Sequence, residues 1–153
     1  MDSIFEHLLT TRNHFISLIE NLSTEELNKI PNGFSNNIIW NIAHCITTQQ
    51  GLNYGLAGLE QLIPKELALQ YKNGTVPERD LSKDEIDNFK MLLLSTIEQT
   101  SADYEAGKFS NFKAYTTSTG YVLRNIDEAI NLVNIHEGIH LGYALALRKA
   151  IRA

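Results

Sequence analysis

Signals for the start of a helix recur along the chain and restrict what it can fold into. In a capping box, an N-cap serine or asparagine is followed three residues later by glutamate, and each side chain accepts a hydrogen bond from a backbone N–H of the first turn. The spacing occurs at four places: Ser3/Glu6, Ser23/Glu26, Ser82/Glu85 and, in an asparagine version, Asn125/Glu128. Apolar residues at three- and four-residue intervals follow each of them, which is the period of one helix face. The sequence therefore predicts an all-α fold.

The spacing of these signals also predicts how the helices are connected. The predicted helices lie at about 4–20, 24–30 (a short extra helix), 36–57, 83–105 and 126–151. Residues 58–81 and 106–122 contain glycines, and the first segment also contains prolines, so both are predicted to be non-helical. Fully extended, the first segment covers about 80 Å, enough to cross a bundle and return, so the helices on either side of it can be parallel. The weak alternation within 109–121 is not counted as a strand. We expect a four-helix bundle with a long crossover between its second and third helices, in one domain of residues 1–153.

Composition and charge exclude several classes of function. The chain has 13 Lys and Arg against 18 Asp and Glu, a net charge of −5, and no basic cluster of the kind that binds phosphates, so we expect no nucleic-acid partner. Its longest aliphatic run, residues 91–94, is far shorter than the roughly 20 residues of a membrane span, so we expect no membrane partner. The N-terminal residues do not resemble a signal peptide. With Cys45 as its single cysteine, the chain is expected to be cytoplasmic.

Three of the five histidines carry the main functional signal. His136 and His140 lie four residues apart in the apolar stripe of the last helix, so both rings lie on one face and can share an ion. Buried imidazoles need partners, and the alternative to a metal is a pair of core histidines hydrogen-bonded to other side chains. His44, on the second long helix, is the candidate third ligand. Three imidazoles with an open coordination position are the layout of a catalytic zinc site.

The last helix also matches two short motifs that assign a role to Glu137. The string HEGIH, beginning at His136, has the H-E-x-x-H form in which metalloproteases use the glutamate as general base, and Glu137 is therefore the candidate catalytic residue. A protease would still need a third ligand, and residues 141–153 contain no His, Asp or Glu. The second motif is the Glu-x-x-His pair formed by Glu137 and His140, which is the ligand pair of di-iron carboxylate bundles. A di-iron site would need another such pair, which the chain lacks. His7 and His14 are expected at the edge of the bundle.

Two strings, WNIAH ending at His44 and HEGIHLG beginning at His136, resemble the DinB/YfiT-like family. The resemblance covers nearly the whole chain, and residues 71–77 also resemble a loop of some members. It implies a four-helix bundle of up-down-down-up order that binds one divalent metal ion, such as Zn, Ni, Fe or Mn. Carried over position by position, the ligands would be His44, His136 and His140.

Characterised members of this family imply a function as well. They include enzymes that attach a low-molecular-weight thiol such as bacillithiol to an electrophile, so the resemblance implies a thiol S-transferase in which the metal holds the thiol as thiolate. The alternatives are a hydrolase that uses metal-bound hydroxide and a non-catalytic metal- or ligand-binding bundle. A small-molecule substrate and a homodimer are expected. Because such thiols are anionic, a basic residue near the pocket is also expected, with Lys72, Arg124 and Arg148 as candidates.

Overall fold

The computed structural model describes residues 3–153, and most of them are helical. In chain order the elements are α1 (Ser3–Asn21), α2 (Thr24–Asn28), α3 (Ile38–Gln50), a π-helical extension of α3 (Gly51–Gly55), α4 (Lys65–Gln70), α5 (Lys83–Glu105), the strands β1 (Tyr115–Thr116) and β2 (Val122–Leu123), and α6 (Ile126–Ile151). The predicted all-α character is therefore confirmed, since the strands are only two residues each. None of the helices in this part of the chain is long and apolar enough to cross a membrane.

The helix starts follow the capping signals closely. Helices α2 and α5 both begin with a complete capping box. The N-cap serine side chain accepts a hydrogen bond from the backbone N–H of the glutamate three residues later, and the glutamate side chain accepts one from the backbone N–H of the serine. Helix α6 begins after Asn125, whose side chain accepts from the N–H of Glu128. Helix α3 begins two residues later than predicted because Asn37 is its N-cap and accepts from the N–H of Trp40. The predicted cap at Ser3 is not tested, because Ser3 is the first described residue and is already part of α1.

The core forms where the four long helices meet, with α1 and α3 each contacting both α5 and α6. One large apolar cluster includes Phe15, Ile42, Ile46 and Leu93, and a smaller one surrounds Ile130. Full burial of one such aliphatic side chain contributes about 1.5–3 kcal/mol, so these clusters dominate the stability of the fold. Helix α3 is the most enclosed, because every one of its residues except Thr48 is buried.

Two predictions about the connections were wrong. Residues 58–81 were expected to lack a helix, yet Lys65–Gln70 forms α4, a short helix that Leu67 and Ala68 hold against the large cluster. The discounted strand signal is real for a few residues, since β1 and β2 pair antiparallel as a hairpin. Its turn includes Gly120 at φ +89°, a conformation that favours glycine. Both elements are too short to produce a periodic sequence pattern.

Candidate metal centre

The structure brings the three predicted histidines together between α3 and α6. The candidate ligand atoms of His44, His136 and His140 all lie within 4.8 Å of one another. The ring centroids are separated by 5.1 Å (His44–His136), 4.8 Å (His44–His140) and 4.4 Å (His136–His140). An ion that binds three imidazoles at about 2.0–2.1 Å each requires a cluster of this compactness. The His136–His140 spacing of one helical turn and the inward position of His44 thus produce the geometry that the sequence predicted.

Two of the histidines are held by oxygen atoms that can only accept a hydrogen bond. Nδ1 of His44 lies 2.7 Å from the backbone carbonyl oxygen of Tyr71, and Nδ1 of His140 lies 2.7 Å from Oδ1 of Asn41. Each Nδ1 therefore carries the hydrogen, which leaves the lone pair on Nε2. Metal-binding histidines are usually oriented in this way, with the second ring nitrogen donating to a carbonyl or carboxylate.

The amide of Asn41 is itself held in the orientation that His140 needs. Its Nδ2 donates to Oδ1 of Asn36 at 3.0 Å and to the carbonyl oxygen of Asn37 at 2.8 Å. With Nδ2 engaged on that side, Oδ1 is directed to His140. Asn41 is 1% exposed, so water does not compete for these bonds. Its position one turn before His44 is the sequence signal for a hydrogen-bonding rather than a catalytic role.

His136 has a different environment, and it is the best test of whether a metal fits. Its Nδ1 is buried and has no hydrogen-bond partner among the described residues. Burial and the neighbouring His140 and His44 lower its pKa to about 3, while burial and His44 lower the pKa of His140 to about 4. Burial also lowers the pKa of His44. All three rings are therefore neutral at pH 7, the form that binds a metal ion. The residues present fit a divalent cation.

The loop of residues 71–77 closes one side of the centre. Besides the Tyr71 carbonyl, it provides the Thr75 hydroxyl oxygen, which accepts from Nε1 of Trp40 at 3.3 Å. The Trp40 ring stacks on His44, with centroids 4.8 Å apart and planes 6° from parallel. The sequence indicated this loop only by resemblance, because a ligand held by a backbone carbonyl leaves no side-chain pattern to read.

A cavity of about 580 Å³ opens over the histidines, which is within the usual range of small-molecule sites, roughly 300–1,000 Å³. Helices α3 and α6 form its walls, and the tip of the β1–β2 hairpin contributes Thr117, Ser118 and Thr119. Tyr115 and Tyr143 also line it. None of the described residues that line it is acidic. The cavity therefore places a ligand beside the histidines without a carboxylate that could repel an anion.

Glu137, the candidate catalytic residue, lies elsewhere. It is fully buried, and both its carboxylate oxygens accept from Nε of Arg12, while Nη2 of Arg12 donates to Oε1 at 2.7 Å. Nη1 of Arg12 donates to Thr96 and to the carbonyl of Leu93. Consecutive helical residues are about 100° apart, which is why Glu137 points into the core while His136 reaches the cavity. Glu137 is not among the residues that line that cavity.

The sequence analysis missed Arg12. Its signal was its position in the buried stripe of α1, four residues after Leu8 and three before Phe15. An arginine in such a stripe needs a buried acidic partner.

The remaining candidates lie apart from the histidine cluster. His7 and His14 are exposed on α1, as expected for the bundle edge, and Arg124 is exposed and paired with Glu128. Arg148 is exposed near the end of α6. Cys45 is fully buried, and burial raises the pKa of its thiol well above the usual value. The thiol therefore behaves as a small core residue.

The fold and the site define a class, a helical protein with a candidate three-histidine metal centre. The sequence matches the DinB superfamily over residues 7–144, a range that contains all three histidines. The chain belongs to this superfamily. Comparison with curated proteins found no match.

Proposed function

We propose that the protein is a mononuclear metalloenzyme that transfers a low-molecular-weight thiol, such as bacillithiol, to a small electrophilic substrate. The observation that carries the proposal is the group of three neutral histidines with ligand atoms within 4.8 Å, at the base of a cavity large enough for a small molecule. A divalent ion bound there would hold the thiol sulfur as thiolate, with the thiol proton lost to solvent. The thiolate sulfur would then form a bond to the electrophilic carbon, and the leaving group would depart with the electrons of the bond that breaks.

The protein's own residues would set the conditions for this reaction. Asn41 and the Tyr71 carbonyl orient two of the ligands, so that their Nε2 atoms are preorganised for the ion. Trp40 covers one face of His44 and limits the approach of water from that side. The threonines and serine of the hairpin tip provide hydroxyl groups that can bind a polar substrate.

The acid-free lining favours S-transfer over hydrolysis of an ester or amide. A hydrolase gains rate from a general acid that protonates the leaving group, usually a carboxyl or histidine side chain near the scissile bond. The described lining contains no acidic residue, and its histidines are the candidate ligands. A thiolate that displaces a good leaving group has no need of such an acid. The hydrolase therefore remains an alternative to be tested, as does a non-catalytic binding bundle.

We also propose the up-down-down-up order of the long helices. Contacts that run in opposite directions along two helices indicate antiparallel packing, whereas contacts that advance together indicate parallel packing. Two helix pairs are antiparallel: α1 and α5 are joined by Phe5–Tyr104 and Glu20–Lys90, and α3 and α6 by Asn41–His140 and His44–His136. Helices α1 and α6 are parallel, joined by Ile4–Asn134 and Arg12–Glu137. Helix α3, with its π-helical extension, is parallel to α5, joined by Gln49–Thr100 and Tyr54–Asp103. The single domain, the cytoplasmic location and the homodimer remain predictions.

The function is tested in two stages on untagged protein reconstituted with Zn, Ni, Fe or Mn. Elemental analysis is expected to find about one ion per chain, the number that one three-histidine site would bind. The double variant His44→Ala/His140→Ala should lose the ion, while the exposed control His14→Ala keeps it. Failure of every metal to bind the wild-type protein would refute the metalloenzyme.

The second stage adds a thiol and an alkyl halide to the loaded protein and follows the thioether by mass spectrometry. Faster thioether formation than with the double variant supports S-transfer. Cleavage of an activated ester without added thiol would favour the hydrolase instead. An ion that binds and accelerates neither reaction would favour the non-catalytic bundle.

A further inference from the structure

Thr48 lies in the wall of the cavity over the histidines and is only partly buried, whereas the other residues of α3 are buried. It follows His44 by four residues, so the two side chains lie one turn apart on the same face of the helix. The hydroxyl oxygen of Thr48 is 3.3 Å from Nε2 of His44. The side chain therefore contacts both a nitrogen atom of a candidate ligand and the open cavity.

The hydroxyl of Thr48 is the donor in this hydrogen bond. Nδ1 of His44 carries the hydrogen, because it lies 2.7 Å from the carbonyl oxygen of Tyr71, so Nε2 has only a lone pair. The same lone pair is the one that would bind a metal ion. Since one lone pair cannot serve a hydroxyl and an ion together, an ion bound by His44 displaces this hydrogen bond.

The orientation of Thr48 differs from that of the threonines in two other long helices. A helical threonine commonly donates its hydroxyl to the backbone carbonyl oxygen three or four residues earlier. The threonines of α1 and α5 all do so, over 2.6–3.3 Å: Thr10, Thr11, Thr96 and Thr100. Within the described residues Thr48 makes no such bond, and its hydroxyl contacts the His44 ring instead. The hydroxyl is thus available to the metal centre.

Once displaced, the Thr48 hydroxyl needs another acceptor, because a donor left unpaired costs free energy. None of the described residues that line the cavity is acidic, so no carboxylate is present there to accept. One candidate is the backbone carbonyl of His44, the acceptor that the other helical threonines would predict. The second is an anion at the open coordination position that three imidazoles leave on an ion. The anion is the stronger acceptor, since hydrogen bonds to charged groups are about twice as strong as neutral ones.

We propose that Thr48 is a substrate-binding residue of the metal centre. Its hydroxyl donates to the lone pair of His44 until an ion binds there, and it then donates to the anionic sulfur of the thiol that the ion holds. The exchange of a neutral acceptor for a charged one favours the thiolate form of the bound thiol. The proposal rests on the proposed function, which makes the anion a thiolate.

The test compares the wild-type protein with Thr48→Val, which keeps the shape of the side chain and lacks the hydroxyl. Binding of 2-mercaptoethanol to the Co²⁺-loaded proteins is followed by the sulfur-to-cobalt charge-transfer absorbance, and Co²⁺ affinity by competition with a chromophoric chelator. Thr48→Val should bind the thiol about tenfold more weakly, the scale of one hydrogen bond to a charged group. It should bind Co²⁺ at least as tightly as the wild type, because the ion no longer displaces a hydrogen bond. A general loosening of the site would weaken both.

Two further variants complete the comparison, with circular dichroism to check each fold. Thr48→Ser keeps the hydroxyl and should restore most of the thiol affinity. The matched control is Thr47→Val, the same chemical change one residue earlier on α3. Thr47 is 7% exposed, its hydroxyl has no partner among the described residues, and it does not line the cavity over the histidines. Thr47→Val should therefore change neither affinity.

Equal thiol affinity in the wild-type protein and Thr48→Val overturns the proposal, as does weaker Co²⁺ binding by Thr48→Val. Azide distinguishes this failure from failure of the proposed function. If the thiol gives no charge-transfer band with the wild-type protein, the S-transferase fails, and azide then replaces the thiol as the anion, followed by the visible absorption of cobalt. Tighter azide binding by the wild type than by Thr48→Val supports Thr48 as an anion-binding residue. Equal azide binding by the two proteins, or none, refutes it.

Discussion

The guanidinium of Arg12 and the carboxylate of Glu137 form an ion pair of 2.7 Å in which both side chains are 0% exposed. The pair joins α1 to α6 directly beside the candidate ligand His136. Because Nη1 of Arg12 also donates to Thr96 on α5, the same guanidinium connects three helices. The residue that the H-E-x-x-H motif nominates for catalysis is therefore part of the core that positions the histidines.

Replacing Arg12 by methionine is expected to lower the free energy of unfolding by about 3–5 kcal/mol, because the Glu137 carboxylate would remain buried without its counter-ion. The double variant Arg12→Met/Glu137→Leu should recover much of this loss, since no charge is then buried. Urea unfolding followed by circular dichroism measures both. The exposed pair Lys83–Asp87 is the control, and Lys83→Ala should cost no more than about 0.5 kcal/mol. Equal losses in the single and double variants would contradict this account of the pair.

The hydrogen bond from His140 to Asn41 predicts a defect in metal affinity without loss of the fold. Asn41→Ala removes the acceptor at 2.7 Å and should weaken metal binding by about 10- to 100-fold, because the ring loses its fixed orientation and tautomer. Competition with a chromophoric chelator measures the affinity, and circular dichroism checks the fold. Asn131→Ala is the control, since Asn131 is exposed on α6. Unchanged affinity in Asn41→Ala would show that the amide does not support a metal site.

Much of the fold and the ligand triad could be predicted because local signals dominate there. The boxes at Ser23 and Ser82 determine where two helices begin, and the one-turn spacing of His136 and His140 determines that both rings share a face. Neither conclusion depends on distant parts of the chain.

The features that could not be predicted depend on contacts between segments far apart in sequence. The Tyr71 carbonyl that holds His44 comes from a residue 27 positions away and carries no side-chain signature. Arg12 and Glu137 are 125 residues apart, so their pairing required the packing of α1 on α6. The β1–β2 hairpin is the exception, because it pairs residues that are close in sequence, and it could not be predicted because strands of two residues each are too short to show a periodic pattern.

The capping box of α5 predicts a measurable pH dependence. Hydrogen bonds from Arg79, and then from the backbone N–H of Ser82, lower the pKa of Glu85 to about 2, against a usual value of 4.5. Since the folded-state pKa is below the unfolded one, this contribution to stability is complete above about pH 4.5 and disappears as the pH falls towards 2. Carboxyl ¹³C NMR titration should find the low pKa in the wild-type protein and a pKa closer to 4.5 in Arg79→Ala. An ordinary pKa in both proteins would contradict the hydrogen-bonded cap.

The burial of Cys45 predicts that the sulfur in any thiol-dependent activity comes from an added thiol and not from the protein. It is the only cysteine of the chain, it is 0% exposed, and burial raises the pKa of its thiol. In the folded protein it should react with Ellman's reagent at pH 8 at least about 100-fold more slowly than in urea, because reaction requires both exposure and the thiolate. Cys45→Ala should retain both the metal and any S-transfer with an added thiol, since the nucleophilic sulfur then comes from the substrate. Rapid labelling of the folded protein, or loss of S-transfer in a folded Cys45→Ala variant that keeps its metal, would assign the sulfur to the protein instead.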